Sequence, residues 1–315
     1  MSNKTSRYHK DLATEELFER INNSLEDIEQ EAIKDFNKPE IPVVFIVGIQ
    51  RSGTTLLMQL LANHFEINYP DNLIARFWRA PYIGAQLKEQ LAYKIENDLT
   101  SDLGFTAGIS QPHEFGYFWK RWFSDTTSDA LENSEAEKLN KELDAWQKIN
   151  NKPLVFKNLI QVVPNLVQIA QKIPNSYFLF VKRQDEFVIQ STLNSRKKMF
   201  GNHHEWFGIK PSNFKDIIQQ KDPVLQVTEQ VYNLNKDFKD FKKAVSSDRF
   251  LTVEYEKLVE NTNLHLEKIK DWLQLDSSEI SNDNKSVINK NEITLSKAEF
   301  QKIKDHFKKL NQSNS

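Results

Sequence analysis

The stretch Val43–Phe65 reads VVFIVGIQRSGTTLLMQLLANHF. An apolar, β-branched run, Val43–Val47, meets Gly48. A second glycine, Gly53, follows after Ile49, Gln50, Arg51 and Ser52, and a leucine-rich segment continues to Phe65. A short run of this kind is expected of a buried parallel strand, and residues 54–64 of the helix that follows it. A strand, a glycine-bounded loop and a helix N-terminus direct backbone N–H groups at an anion, and the helix dipole adds favourable partial charge. Gly48 and Gly53 permit close backbone approach, while Thr54 and Thr55 bring hydroxyls to the first helical turn. The nucleotide-binding form of this loop is G-x-x-x-x-G-K-[ST]. Here Thr54 stands at the lysine position, and Arg51 lies inside the loop instead. A guanidinium is always charged and binds oxyanions in a bidentate fashion.

The rest of the chain sets the context. It has 315 residues, 39% hydrophobic and 27% charged, with a net charge of -2. That balance does not call for a nucleic-acid partner, and an anionic ligand must be held by a local cluster. The chain has no cysteine, which excludes disulfides, thiolate catalysis and cysteine-ligated zinc. The first twenty residues lack the apolar core of a secretory signal, and no run reaches about 18 apolar residues. A cytoplasmic location and no transmembrane segment are the expectation. Leu17, Ile21, Leu25, Ile28 and Ile33 are spaced to put an amphipathic helix over residues 11–36, broken by NKPEIP at 37–42. Residues 1–40 are therefore read as an amphipathic helix and linker, and 41–315 as a single domain. Further strand-like runs are Leu154–Lys157, Tyr177–Val181 and Phe250–Tyr255. Helices are expected over 85–99, 128–149, 264–275 and 296–310, with 277–292 as a polar connector and a frayed tail. Strands alternating with helices predict an α/β fold, a P-loop NTPase-like three-layer arrangement with a central parallel sheet flanked by helices.

A second anion site is readable at YFLFVKRQDEFVIQSTLNSR, residues 177–196. Arg183 ends a strand, and Ser191 falls eight residues later in the next helix. A dianionic phosphate needs a fixed cation plus neutral donors, and this pair supplies both.

The fragment RSGTT resembles the 5′-phosphosulfate loop of sulfotransferases, [KR]-[ST]-G-[ST]-T, in the arginine-bearing form of many bacterial-type members and of the protein-tyrosine sulfotransferases. The resemblance covers most of residues 41–275. It implies 3′-phosphoadenosine 5′-phosphosulfate (PAPS) as donor, 3′-phosphoadenosine 5′-phosphate (PAP) as product, and no metal. It implies the 5′-phosphosulfate at Gly48, Arg51, Ser52, Gly53, Thr54 and Thr55, and the 3′-phosphate at Arg183 and Ser191, although the family's proline after the arginine is absent from KRQDE. It places Tyr255 against the adenine. The family's Arg-Lys-Gly near the C-terminus has no counterpart, so Arg196, Lys197 or Lys198 are candidates for the second phosphate cation. Arg51 and Lys157 are implied at the transferring group. The histidine expected two residues after the lysine is replaced by Leu159, which leaves the base to be found elsewhere. Candidates are His113 and Glu114 in SQPHEFGYFWKRWF, and Asp71, near where some members place a glutamate, although the aligned position falls on Asn72. The aromatic residues Phe77, Trp78, Tyr82, Phe115, Tyr117, Phe118, Trp119 and Trp122 line either an acceptor pocket or the core. The acceptor is a small molecule, carbohydrate or lipid, and an oligomer is compatible with the sequence. The competing readings are a P-loop kinase or NTPase, which needs a lysine at position 54, and a non-catalytic binding protein of the same fold.

Overall fold

A computed structural model describes residues 4–92, 99–126, 130–275 and 287–313. Strands β1 (Val43–Gly48), β2 (Leu154–Phe156), β3 (Ser176–Lys182) and β4 (Phe250–Glu254) form a four-stranded sheet in the order β2-β1-β3-β4, with every pairing parallel. The expected α/β architecture is present. β1 is buried at every position, as its unbroken apolar run requires for a strand covered on both faces.

Side-chain alternation along β1 divides the core into two layers. Val43, Phe45 and Val47 face one side, and Val44 and Ile46 the other. The helices are α1 (Leu12–Ala32), α2 (Thr54–His64), α3 (Pro81–Leu91), α4 (Gly116–Lys120), α5 (Asn133–Lys148), α6 (Leu166–Lys172), α7 (Asp185–Phe200), α8 (Phe214–Ile217), α9 (Pro223–Ala244), α10 (Tyr255–Glu260), α11 (Thr262–Leu273) and α12 (Lys297–Ser313). The Phe45 side packs on α5, α6, α7 and α9 through Trp146, Ile169, Leu193 and Leu234. The Ile46 side packs on α2, α10 and α11 through Leu61, Leu258 and Ile269. The tail is helical to Ser313, further than the sequence suggested, while residues 93–98 and 277–286 of the expected helix and connector lie outside the described residues.

α1 departs from expectation in how it is seated. Its apolar stripe points outward, with Leu17 53% and Ile28 58% exposed. The buried face carries Asn22 and Glu29, with Ile33 just past the helix end. Asn22 donates to the carbonyls of Phe18 and Arg76 and accepts from the N–H of Arg79 at 2.9 Å. Glu29 accepts from the N–H groups of Tyr82 (2.7 Å) and Ile83 (3.1 Å), so it caps α3 from another helix. Polar anchoring therefore overrides the apolar period.

Burial dominates over those two bonds and pushes the Glu29 pKa up to about 8, against about 4.5 in the unfolded chain. The folded state then binds the extra proton. The stability this gives is complete below pH 4.5 and is lost as pH rises through 8. Glu29→Gln is expected to flatten that part of the decline, measured as the urea midpoint from pH 5 to pH 8. A decline as steep as that of the parent chain would place the proton elsewhere.

Candidate functional site

Because every pairing is parallel, the carboxyl ends of all four strands meet at one edge of the sheet, where ligands of open α/β sheets bind. Each strand delivers a functional side chain there. The loop starts at Gly48, the last residue of β1. Lys157, Arg183 and Tyr255 each fall one residue past the ends of β2, β3 and β4. Arg51, Gly53, Thr54, Thr55, Glu114, Lys157, Arg183 and Tyr255 line a common cavity of about 520 Å³.

The loop glycines are required by close approach. A Cβ on Gly48 would lie 2.6 Å from the carbonyl oxygen of Val181 on β3. Gly53 has φ 105° and precedes α2, and a Cβ there would lie 2.6 Å from the Tyr255 ring. No side chain caps α2, so the N–H groups of its first turn face the loop without an intrahelical acceptor. The Ser52 hydroxyl is buried with no hydrogen-bond partner among the described residues. Orphaned donors, an uncapped helix start and a guanidinium form a donor set suited to an anion.

The two motifs meet at Arg51, which is left-handed (φ 70°). Its carbonyl accepts from Arg183 Nη1 at 3.0 Å, and its Nε donates to the Ser191 hydroxyl at 3.1 Å. The loop and the strand-end pair are thus one assembly. Burial, and then the neighbouring Arg183 charge, lower the Arg51 pKa. Burial likewise lowers that of Arg183. Both guanidiniums remain charged at neutral pH, and a bound anion relieves their mutual repulsion.

Arg183 has further partners that the sequence did not reveal. Residues 287–295, of which 287–292 belong to the expected connector, form a strap across it. Its Nη2 donates to the carbonyl of Lys290 (2.8 Å) and its Nε to Asn291 Oδ1 (2.7 Å). Tyr255 OH accepts from Lys290 N–H, and Arg183 lies 4.7 Å from the centre of the Tyr255 ring. Gln190 and Asn194 of α7 fasten the strap at Glu292 and Thr294. Lys290 lines the cavity. No local pattern announces these contacts, because each joins residues far apart in sequence.

In the same cavity Lys157 is paired with Glu114. Lys157 is 5% and Glu114 38% exposed, so the carboxylate keeps access to the cavity while the ammonium is enclosed. The backbone aims Glu114. His113 Nδ1 accepts from the N–H of Phe115 at 2.9 Å, and Phe115 takes the left-handed region at φ 52°. His113 does not line the cavity, and burial lowers its pKa to about 4, so it is neutral. It orients the turn.

Two expectations are corrected by position, and one open alternative is resolved. Asp71 is fully buried outside the cavity, where it accepts from the N–H groups of Leu73 and Ile74 and pairs with Lys88 at 3.0 Å. It opens the turn that leads into residues 74–76 and does not line the cavity. Arg196 is also fully buried away from the cavity, donating to the His203 carbonyl and to Gln226 Oε1. Lys197 is exposed, and Lys198 pairs with Asp102; neither lines the cavity. The aromatic residues around Phe118 and Trp119 stack on Phe45, Phe156 and Trp146 in the core rather than lining a pocket.

A sequence model described as the sulfotransferase family matches residues 42–279. The chain belongs to the sulfotransferase family. Two solved sulfotransferases share its fold. STF9 from Mycobacterium avium aligns with a TM-score of 0.54 and 11% identity over 82% of this chain and 69% of that one. STF1 from Mycobacterium tuberculosis H37Rv aligns with a TM-score of 0.54 and 13% identity over 90% of this chain and 81% of that one. No curated protein matches the sequence. Among the described residues no helix is long and apolar enough to cross a membrane. None of the described His, Asp or Glu side chains form a group of three or more that could hold a metal ion. In this member of the sulfotransferase family Glu114 is paired with Lys157, and Leu159, two residues after that lysine, lines the cavity.

Proposed function

We propose that the protein transfers a sulfuryl group from PAPS to a hydroxyl acceptor. The observation that carries this reading is the direct linkage of the loop to the strand-end pair, Arg183 to the Arg51 carbonyl and Arg51 to Ser191. Two anion sites bound to each other suit a ligand with a 5′- and a 3′-phosphate, and a kinase-type loop has no use for the second.

Residues 51–55 and the start of α2 would hold the 5′ end, and Arg183 with Ser191 the 3′-phosphate. Tyr255 would meet the base. PAPS supplies an electron-poor sulfuryl group, whose bond to the 5′-phosphate oxygen breaks as the acceptor oxygen bonds to sulfur, the electron pair staying on the phosphate. Arg51 and the α2 N–H groups hold charge at that oxygen, and Lys157 holds the transferring oxygens. Glu114 accepts the acceptor's proton. Positioning and charge stabilisation supply the rest of the rate.

Calorimetric titration with PAP, compared with ATP·Mg, tests the reading. PAP is expected to bind and ATP·Mg to bind far more weakly; tight ATP·Mg binding with no PAP binding points to a nucleotidyl- or phosphoryl-handling enzyme. Arg183→Ala is expected to weaken PAP binding by about 10- to 150-fold, the worth of roughly 1.5–3 kcal/mol for a hydrogen bond to a charged group. Unchanged affinity removes Arg183 from the 3′-phosphate site.

A further inference from the structure

Two chemically distinct sets of residues line the cavity. One carries the anion-binding groups. The other comprises Leu103, Phe105, Leu159, Ile160, Met199 and Phe207. Most polar groups beside these apolar residues are already engaged, and Gln50 Nε2 is a buried donor with no partner among the described residues. Glu114 and Lys157 pair with each other. Gln59 donates to the Thr100 carbonyl and to Gln111, and Gln50 Oε1 accepts from the Ile209 N–H.

A polyhydroxylated acceptor would bury more hydroxyls against these residues than that one donor can meet, and each hydroxyl left unsatisfied opposes binding. An apolar body gains there in proportion to the area it buries. The reacting end is narrow. Gly104 (φ 93°) closes over it: a Cβ at that position would lie 3.2 Å from Glu114 Oε1, 3.4 Å from Lys157 Nζ and 3.8 Å from Thr55 Oγ1. The next residue, Phe105, is 58% exposed at the rim, its ring 6.2 Å from that of Tyr8. The apolar lining therefore continues outward from the base to the surface.

Resting on the donor reading above, we infer that the acceptor is a hydroxyl on an apolar carbon skeleton, an aryl or aliphatic alcohol, whose oxygen lies beneath Gly104 and whose body runs out along Phe105. The hydroxyl oxygen forms the new bond to sulfur, and its proton passes to Glu114.

The test uses the full chain. PAP binding is measured first by calorimetry. Binding of 2-naphthol, 1-octanol and glucose to the PAP complex is then measured, followed by turnover of each with PAPS. At least one of the two alcohols is expected to bind and turn over, with glucose at least a hundredfold poorer in kcat/KM; the better alcohol decides between the aryl and aliphatic forms. Phe105→Ser, at an exposed position, is expected to weaken alcohol binding and raise its KM about tenfold while PAP affinity is unchanged. Preference for glucose, or PAP binding with neither alcohol bound or turned over, overturns the acceptor class and leaves the donor reading intact. Unchanged alcohol binding in Phe105→Ser overturns the outward path. Failure of PAP to bind overturns both readings.

Discussion

Arg51→Ala is expected to lower kcat by about 10²–10³-fold, the loss seen when one preorganised donor to developing charge is removed. PAP affinity is expected to change less than tenfold. The asymmetry follows from how Arg51 is held. Its carbonyl, not its side chain, engages Arg183, so that link between the two anion sites survives truncation and only the Nε bond to Ser191 is lost. The left-handed backbone at φ 70° is already occupied by a residue with a Cβ, so alanine adds no new steric cost. What disappears is the guanidinium at the oxygen where negative charge accumulates. Single-turnover rates and PAP calorimetry on the same preparation separate the two effects. A kcat within tenfold of the parent chain, with PAP affinity lost instead, assigns Arg51 to ground-state binding.

The second large effect is at Glu114. Glu114→Gln keeps the shape of the side chain and an oxygen for Lys157 while removing basicity, and kcat is expected to fall about 10²–10⁴-fold. The loss depends on the acceptor. An aliphatic alcohol needs a base most, and an acidic nitrophenol that ionises unaided needs it least, so the defect shrinks along that series. PAP affinity stays constant throughout. An equal defect for every acceptor assigns Glu114 to positioning Lys157. His113→Asn can still donate and accept hydrogen bonds but alters the turn that aims Glu114. It should give a smaller fall with the same dependence on acceptor.

The sheet and the loop were legible because their determinants are local. An unbroken β-branched run is a buried parallel strand almost by composition, and two glycines around an arginine and three hydroxyl residues have no packing reason to coincide. The seating of α1 was not legible. Its apolar stripe obeys the helical period, yet Asn22 and Glu29 satisfy backbone groups of the 76–83 segment and turn the stripe outward. The aromatic run around Trp119 left two readings open, because rings suited to a pocket are equally suited to stacking on Phe45 and Phe156. Asp71 matched by alignment distance alone, and a turn claimed it. Glu114 was readable as a candidate, but its pairing with Lys157 spans 43 residues, a contact that only the crossover between strands creates.

The strap over Arg183 gives the fold an internal competitor. Lys290 and Asn291 already offer that guanidinium two oxygens, from a segment tethered to α7 at an effective concentration in the millimolar range or above. A nucleotide without a 3′-phosphate cannot outbid them and leaves the arginine as it was. One that carries the phosphate offers a charged acceptor, and its apparent affinity is the difference between two occupancies of the same side chain. The strap would thus compete only with nucleotides that carry the 3′-phosphate, and loosening it would raise their affinity while leaving that of the others unchanged.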